Sequence, residues 1–247
     1  MLNLITILCL FNIILFPSLM LIIVYPFSKK AALFWSNYVT KHSSRVFFAV
    51  LKLYRKFGFE QDFTNYDKLP ENFIIISNHQ SLLDVVCFLN FFHQKDLRFI
   101  AKDSLKTSPM VGQMLKSQQH CMIPRKGNLT YAIKEITAFG KRCVKLNQCP
   151  LIFPEGTRSR TGELGKFHSA GFRTLCEASG LPVVVCCLDG GYKLSTLKQI
   201  VTKMYKGTYR VKILKIYDNP KTKEEQQHIL DESSEMMKEQ LKIWRKN

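Results

Sequence analysis

Apolar residues run along this chain in three rhythms. Over residues 1–27 they are almost unbroken, dominated by Leu, Ile, Val and Phe, with no charged side chain. Over residues 31–57 they are interleaved with Lys41, Arg45, Lys52, Arg55 and Lys56, the pattern of a basic amphipathic helix lying on an interface. Beyond that point short apolar runs alternate with longer stretches of helical period. Residues 73–77, 97–101, 151–153, 182–188 and 209–216 predict strands, and 83–92, 110–117, 128–146 and 171–179 predict helices. This βαβα order predicts an α/β fold with a mostly parallel central sheet covered by helices. Asn219-Pro220 closes the last strand region, and residues 221–244 predict a charged terminal helix with Leu230, Met237, Leu241 and Trp244 as its apolar stripe. No repeat or linker divides the remainder, so two regions are expected: an N-terminal anchor with its amphipathic helix over 1–57, and one domain over 58–247.

The N-terminal run is long enough to cross about 30 Å of hydrocarbon as a helix. It has no basic leading segment and no Ala-x-Ala site, so a retained membrane helix is expected rather than a cleaved signal. Pro17-Ser18 interrupts it, which leaves both a kinked span and a helical hairpin within one leaflet open. Lys29-Lys30 follow at once, and the positive-inside rule then puts the larger domain on the cytoplasmic side. Lys and Arg number 36 against 19 Asp and Glu, a formal net charge of +17. That excess suits an anionic membrane surface, and since no nucleic-acid motif accompanies it, nucleic acid is not an expected partner. Eight cysteines include no Cys-x-x-Cys pair, so neither a disulfide framework nor a metal site is expected. Free thiols inside apolar runs fit a reducing compartment.

Two polar strings stand directly behind apolar runs. The first, Asn78-His79-Gln80-Ser81-Leu82-Leu83-Asp84, follows the apolar run Phe73-Ile74-Ile75-Ile76; the second, Phe153-Pro154-Glu155-Gly156-Thr157-Arg158-Ser159, continues the run Leu151-Ile152-Phe153. Both fall just past the carboxyl ends of strands, where open α/β sheets place their ligand crevices. Residues five apart on a helix are rotated by about 500° and share no face. His79 and Asp84 therefore meet only if His79 lies at or before the helix start and Asp84 one turn inside, and Ser81 is a candidate N-cap that fits this. An aspartate on one ring nitrogen would fix the tautomer and leave the other to accept a proton. In the second string Pro154 stops the strand, Gly156 permits a tight turn, and Thr157-Arg158-Ser159 offers donors suited to a phosphate.

The two strings together resemble the first and third motifs of the glycerolipid acyltransferase family, typified by 1-acyl-sn-glycerol-3-phosphate acyltransferases. Phe99-Ile100-Ala101-Lys102, with Leu105, Pro109, Gly112 and Ile123-Pro124-Arg125, is similar to the second block. Leu181-Pro182-Val183-Val184-Val185 resembles the fourth, with Val185 standing where the family often has a second proline. The resemblance covers about residues 73–188. It implies a glycerol-3-phosphate acyltransferase-like fold, with residues 58–247 as the catalytic domain. It also implies a reaction without a cofactor. A fatty acyl group passes from acyl-CoA or an acyl carrier protein thioester to the free hydroxyl of lysophosphatidic acid. His79 would be the general base and Asp84 its orienting partner, with donors at the helix start near residues 78–81 facing the oxyanion. Arg158, Lys102 and Arg125, in that order, would hold the phosphate. Gly156 and Thr157 would shape that subsite, and Glu155 would either bind glycerol hydroxyls or hold Arg158. The same chemistry on glycerol-3-phosphate, another lysophospholipid or a lyso-aminolipid stays open, as does a non-catalytic lipid-binding role. No Gly-x-Ser-x-Gly elbow occurs, which disfavours a serine hydrolase.

Overall fold

The computed structural model describes residues 5, 8, 9, 11–55, 57–124, 128–194 and 207–246. Seven strands form one sheet: β1 (Gly58–Asp62), β2 (Ile74–Ser77), β3 (Leu97–Lys102), β4 (Cys121–Ile123), β5 (Cys149–Ile152), β6 (Val183–Asp189) and β7 (Thr208–Tyr217). Their order is β1-β7-β6-β2-β5-β3-β4. The five strands from β6 to β4 are mutually parallel, whereas β7 runs antiparallel to β6 and carries β1 parallel to itself. All five strands predicted from apolar runs are present. Two more lay outside the prediction: β1, Gly-Phe-Glu-Gln-Asp on a half-buried edge, which is not an apolar run, and β4, Cys-Met-Ile, which is only three residues long.

The helices are α1 (Phe16–Val24), α2 (Lys29–Tyr38), α3 (Ser44–Arg55), α4 (Leu83–Phe91), α5 (Val111–Ser117), α6 (Leu129–Lys145), α7 (Ser169–Ser179) and α8 (Lys223–Lys246). Alternate residues of the central strands face opposite layers. Phe73, Ile75, Leu151, Val184 and Cys186 pack with Phe88 and Phe91 of α4 and with Phe47, Phe48 and Leu51 of α3. Ile74, Ile76, Ile152, Val183, Val185 and Cys187 pack with α6, α7 and α8. Burial on both faces is why these strands read as continuous apolar runs. Cys186 and Cys187 point to opposite layers, and all eight cysteines are free thiols. The apolar stripe predicted for the terminal helix is buried at Leu230, Met237 and Leu241.

The N-terminal segment folds as a helical hairpin. A Phe16–Trp35 ring contact with centroids 6.1 Å apart, and a 2.6 Å hydrogen bond from Ser43 Oγ to the Ile13 carbonyl, hold its arms antiparallel. Among the described residues no helix is long and apolar enough to cross a membrane. A π-helical turn at Val39–Ser43 joins α2 to α3. In the stretch expected to lie on an interface, Phe47, Phe48 and Leu51 instead face the protein interior, because α4 and the sheet supply an apolar surface there.

Candidate active site

Because β2 and β5 are parallel neighbours, the strings that follow them emerge side by side at one rim of the sheet. Asn78 to Ser81 leaves β2 without helical structure, and α4 opens at Leu83. His79 thus precedes the helix and Asp84 lies in its first turn, as their spacing requires. Their side chains meet, with His79 Nδ1 2.7 Å from Asp84 Oδ2. Asp84 is fully buried, and the backbone N–H groups of Gln80 and Ser81 donate to the same oxygen at 2.6 and 2.8 Å. The Tyr209 hydroxyl donates to the other oxygen, Oδ1. Ser81 Oγ accepts from the Leu83 N–H at 3.2 Å while Asp84 takes the Ser81 N–H, an exchange close to a capping box.

An ionised carboxylate only accepts hydrogen bonds, so a carboxylate at Asp84 selects the tautomer of a neutral imidazole that donates from Nδ1 and leaves Nε2 as the acceptor. The imidazole, 16% exposed, lies flat on the Phe153 ring with centroids 4.0 Å apart and planes 10° from parallel. Stacking fixes the ring's plane, and Asp84 fixes its rotation within that plane.

The second string grips the backbone of the first. Gly156 takes φ +64° and its N–H bonds the Phe153 carbonyl at 3.0 Å, the tight turn expected there. Glu155, buried behind that turn, accepts the His79 N–H on Oε1 at 2.7 Å and the Gly165 N–H on Oε2 at 2.8 Å. Burial raises the Glu155 carboxyl above its ordinary value, and the two backbone donors pull it back. The Ser159 N–H donates to the His79 carbonyl at 2.7 Å, which brings the loop carrying Arg158 against the imidazole's own backbone. Both main-chain polar groups of His79 are therefore held by the second string.

These bonds alter one expectation. The donors at residues 78–81 expected to face an oxyanion are spent within the protein. His79 N–H serves Glu155, the Gln80 and Ser81 N–H groups serve Asp84, and Asn78 Nδ2 serves the Leu188 carbonyl at 2.8 Å. Each of these donors thus already has an acceptor inside the protein.

The other predicted residues fall as follows. Gly156 and Thr157 are exposed at the loop tip, and Arg158 is half-buried. Lys102 is exposed at the end of β3, on the same rim but two strands from β2, about 10 Å away at the usual strand spacing. Arg125 lies outside the described residues. His168 is exposed, and its N–H closes the loop onto the Pro154 carbonyl at 2.9 Å. Sequence reasoning missed Tyr209, which reads as one more residue of a buried strand. Its signal was the hydroxyl itself, which needs a partner once buried.

A family model described as Acyltransferase matches residues 60–189. A 1-acyl-sn-glycerol-3-phosphate acyltransferase from Cocos nucifera is 37% identical over 117 residues, 47% of this chain and 37% of that protein. One from Pseudomonas aeruginosa is 32% identical over 135 residues, 54% of this chain and 51% of that protein. One from Helicobacter pylori is 30% identical over 147 residues, 58% of this chain and 59% of that protein. The matched segment thus spans between about a third and three-fifths of these relatives' lengths. The crystal structure of the 1-acyl-sn-glycerophosphate (LPA) acyltransferase PlsC from Thermotoga maritima superposes with a TM-score of 0.66 over 99% of this chain and 97% of that one. At 20% identity that likeness establishes the fold, an α/β arrangement about a mostly parallel sheet. With the family model covering more than half of its residues, the chain belongs to the acyltransferase family.

Proposed function

We propose that this chain transfers a fatty acyl group from a thioester to the free hydroxyl of lysophosphatidic acid, giving phosphatidic acid. The observation that carries this reading is the His79 Nδ1–Asp84 Oδ2 bond beside the Arg158 loop at one sheet rim. Neutral His79 takes the hydroxyl proton on Nε2 as the acceptor oxygen attacks the thioester carbonyl. The tetrahedral intermediate collapses with loss of thiolate, which recovers the proton from the imidazolium. Asp84 holds the imidazole in one tautomer and offsets its positive charge while the proton is aboard. No covalent enzyme intermediate is needed, because a thioester is already an activated acyl group. Arg158 binds the acceptor phosphate through paired N–H donors, and Lys102 and Arg125 add charge from the same family positions. Acyl-CoA and acyl carrier protein thioesters are both anionic donors that fit the net charge of +17.

The relatives' names support this choice of acceptor, and the family supports acyl transfer. In the same reading the N-terminal hairpin rests on an anionic bilayer, and residues 58–247 form a catalytic domain at its cytoplasmic face.

The test is acyl transfer by the purified full chain, with lysophosphatidic acid as acceptor and either thioester as donor. His79→Ala and Asp84→Ala are each expected to lower kcat by about 10²–10⁴-fold with unchanged circular dichroism. Wild-type turnover in His79→Ala would remove the imidazole from the mechanism.

A further inference from the structure

Asp84 is more completely held than the family motifs explain. Three donors converge on Oδ2, all from the first string: His79 Nδ1 and the N–H groups of Gln80 and Ser81. The donor to Oδ1 comes from elsewhere, the hydroxyl of Tyr209 on β7. Topology explains how it arrives. β6 ends at the active rim with Asp189, and β7, running antiparallel, begins there, with Asp189 opposite Arg210. The first residues of β7 therefore stand where the parallel strands finish. Tyr209 lies beyond the family-matched segment, which closes at residue 189.

The pair is sealed by backbone. Gly191, the first residue of the 3-10 turn Gly191–Leu194, covers both groups so closely that an added Cβ would stand 2.9 Å from Asp84 Oδ1 and collide with the Tyr209 hydroxyl. Tyr209 itself is fully buried, so no water competes for its hydrogen bond.

We infer that Tyr209 is a positioning residue of the acyl-transfer site: its hydroxyl locks Asp84 through Oδ1 so that Oδ2 is presented to His79. The inference rests on the proposed reaction and deepens it. Burial and the negative charge of Asp84 both hold the Tyr209 phenol well above its usual ionisation range, so it remains a donor wherever the enzyme would work. Among the described residues, titratable groups near this cluster include Glu155 from the second string, Cys87 from α4 and, beside Cys87, Cys186 from β6. Burial and Asp84 keep Cys87 a neutral thiol. Asp84 without Tyr209 has a more concentrated charge on the side facing His79. It then stabilises the imidazolium more strongly but orients it less well.

The experiment compares wild type with Tyr209→Phe, which removes one oxygen, and with Gly191→Ala, which keeps every side chain but displaces the hydroxyl. Expected in both is a loss of about ten-fold or more in kcat with KM nearly unchanged, since a hydrogen bond to a charged group is at stake. The acidic limb of rate against pH should move to higher pH, and the His79 Nδ1–H proton resonance should move downfield. Wild-type kcat, acidic limb and resonance in a folded Tyr209→Phe protein would overturn the inference. If Tyr209→Phe does not fold, the same comparison is decided in Gly191→Ala. The resonance needs no turnover: if the wild-type chain acylates no lysophosphatidic acid, the proposed reaction fails while the spectrum still judges Tyr209.

Discussion

Two histidines in this molecule lie flat on phenylalanine rings, and their surroundings give them different work. His79 stacks on Phe153 at the rim with a carboxylate on Nδ1. His120 stacks on Phe99 with centroids 4.6 Å apart, but it is buried at the β3–β4 edge. Its Nδ1 accepts the Phe99 N–H at 2.8 Å and its Nε2 bonds Gln118 Oε1 at 3.0 Å, so the neutral ring satisfies one donor and one acceptor. Burial first, then Arg98 and Arg142, push it down from 6.5 to about 3. Between those values the unfolded chain holds one more proton than the folded one, so stability falls as pH drops through this window. The expected contribution is about 1.4 kcal/mol per pH unit, fully present above the ordinary histidine range. Denaturant unfolding from pH 7 downward should show a flatter loss in His120→Asn than in wild type. Equal slopes would mean that His120 does not titrate with folding. Its effect on pH stability was not legible in the sequence, because it comes first from burial and then from two arginines distant along the chain.

At the scale of elements, the legible parts were those whose burial is two-sided or whose helix carries its own start signal. The strand–string–helix unit around His79 was readable because a five-residue spacing is incompatible with a shared helix face. The bonds from Glu155 to two backbone amides were not readable, since a main-chain N–H has no signature in the sequence. Nor was the direction of β7, which decides that Tyr209 arrives at the rim. The hairpin of α1 and α2 presents a further surface: Phe16, Ile23, Phe27 and Phe34 are exposed, with Phe27 at 86%, and the exposed Lys29 and Lys30 open the second arm. Aromatic rings beside lysines match a segment lying on an anionic bilayer. Each lysine near such a surface contributes about 1 kcal/mol. A Lys29→Glu, Lys30→Glu double variant should therefore bind vesicles containing anionic lipid at least about ten-fold more weakly than wild type, with little change on neutral vesicles. Equal sedimentation with both vesicle types, at low and high salt, would remove the hairpin from membrane binding.

Across the whole molecule, the last helix reaches back to the site. Arg245, near the end of α8, donates through Nη2 to Asp189 Oδ1 at 2.8 Å and through Nε to Asp189 Oδ2 at 3.2 Å. The same Nη2 bonds the Gly162 carbonyl at 2.8 Å, and the guanidinium lies over the Tyr192 ring, 5.2 Å from its centroid. Asp189 in turn accepts from Gln80 Nε2 at 3.2 Å, and Gln80 Oε1 accepts the Tyr192 N–H at 3.2 Å. One side chain thereby connects the terminal helix, the loop after Arg158, the end of β6 and the first string. A lysine cannot reproduce this, because a point charge does not serve both Asp189 oxygens and a carbonyl in one plane. Arg245→Ala should cost about 1–3 kcal/mol in unfolding free energy, the loss expected when hydrogen bonds to a buried charge are removed. The loop over residues 156–167 should become more sensitive to limited proteolysis, and KM for the lysolipid should rise more than kcat falls. Arg245→Lys should recover stability in part but leave the loop cleavable. A fully protected loop and wild-type KM in Arg245→Ala would show that the terminal helix supports the fold without reaching the site.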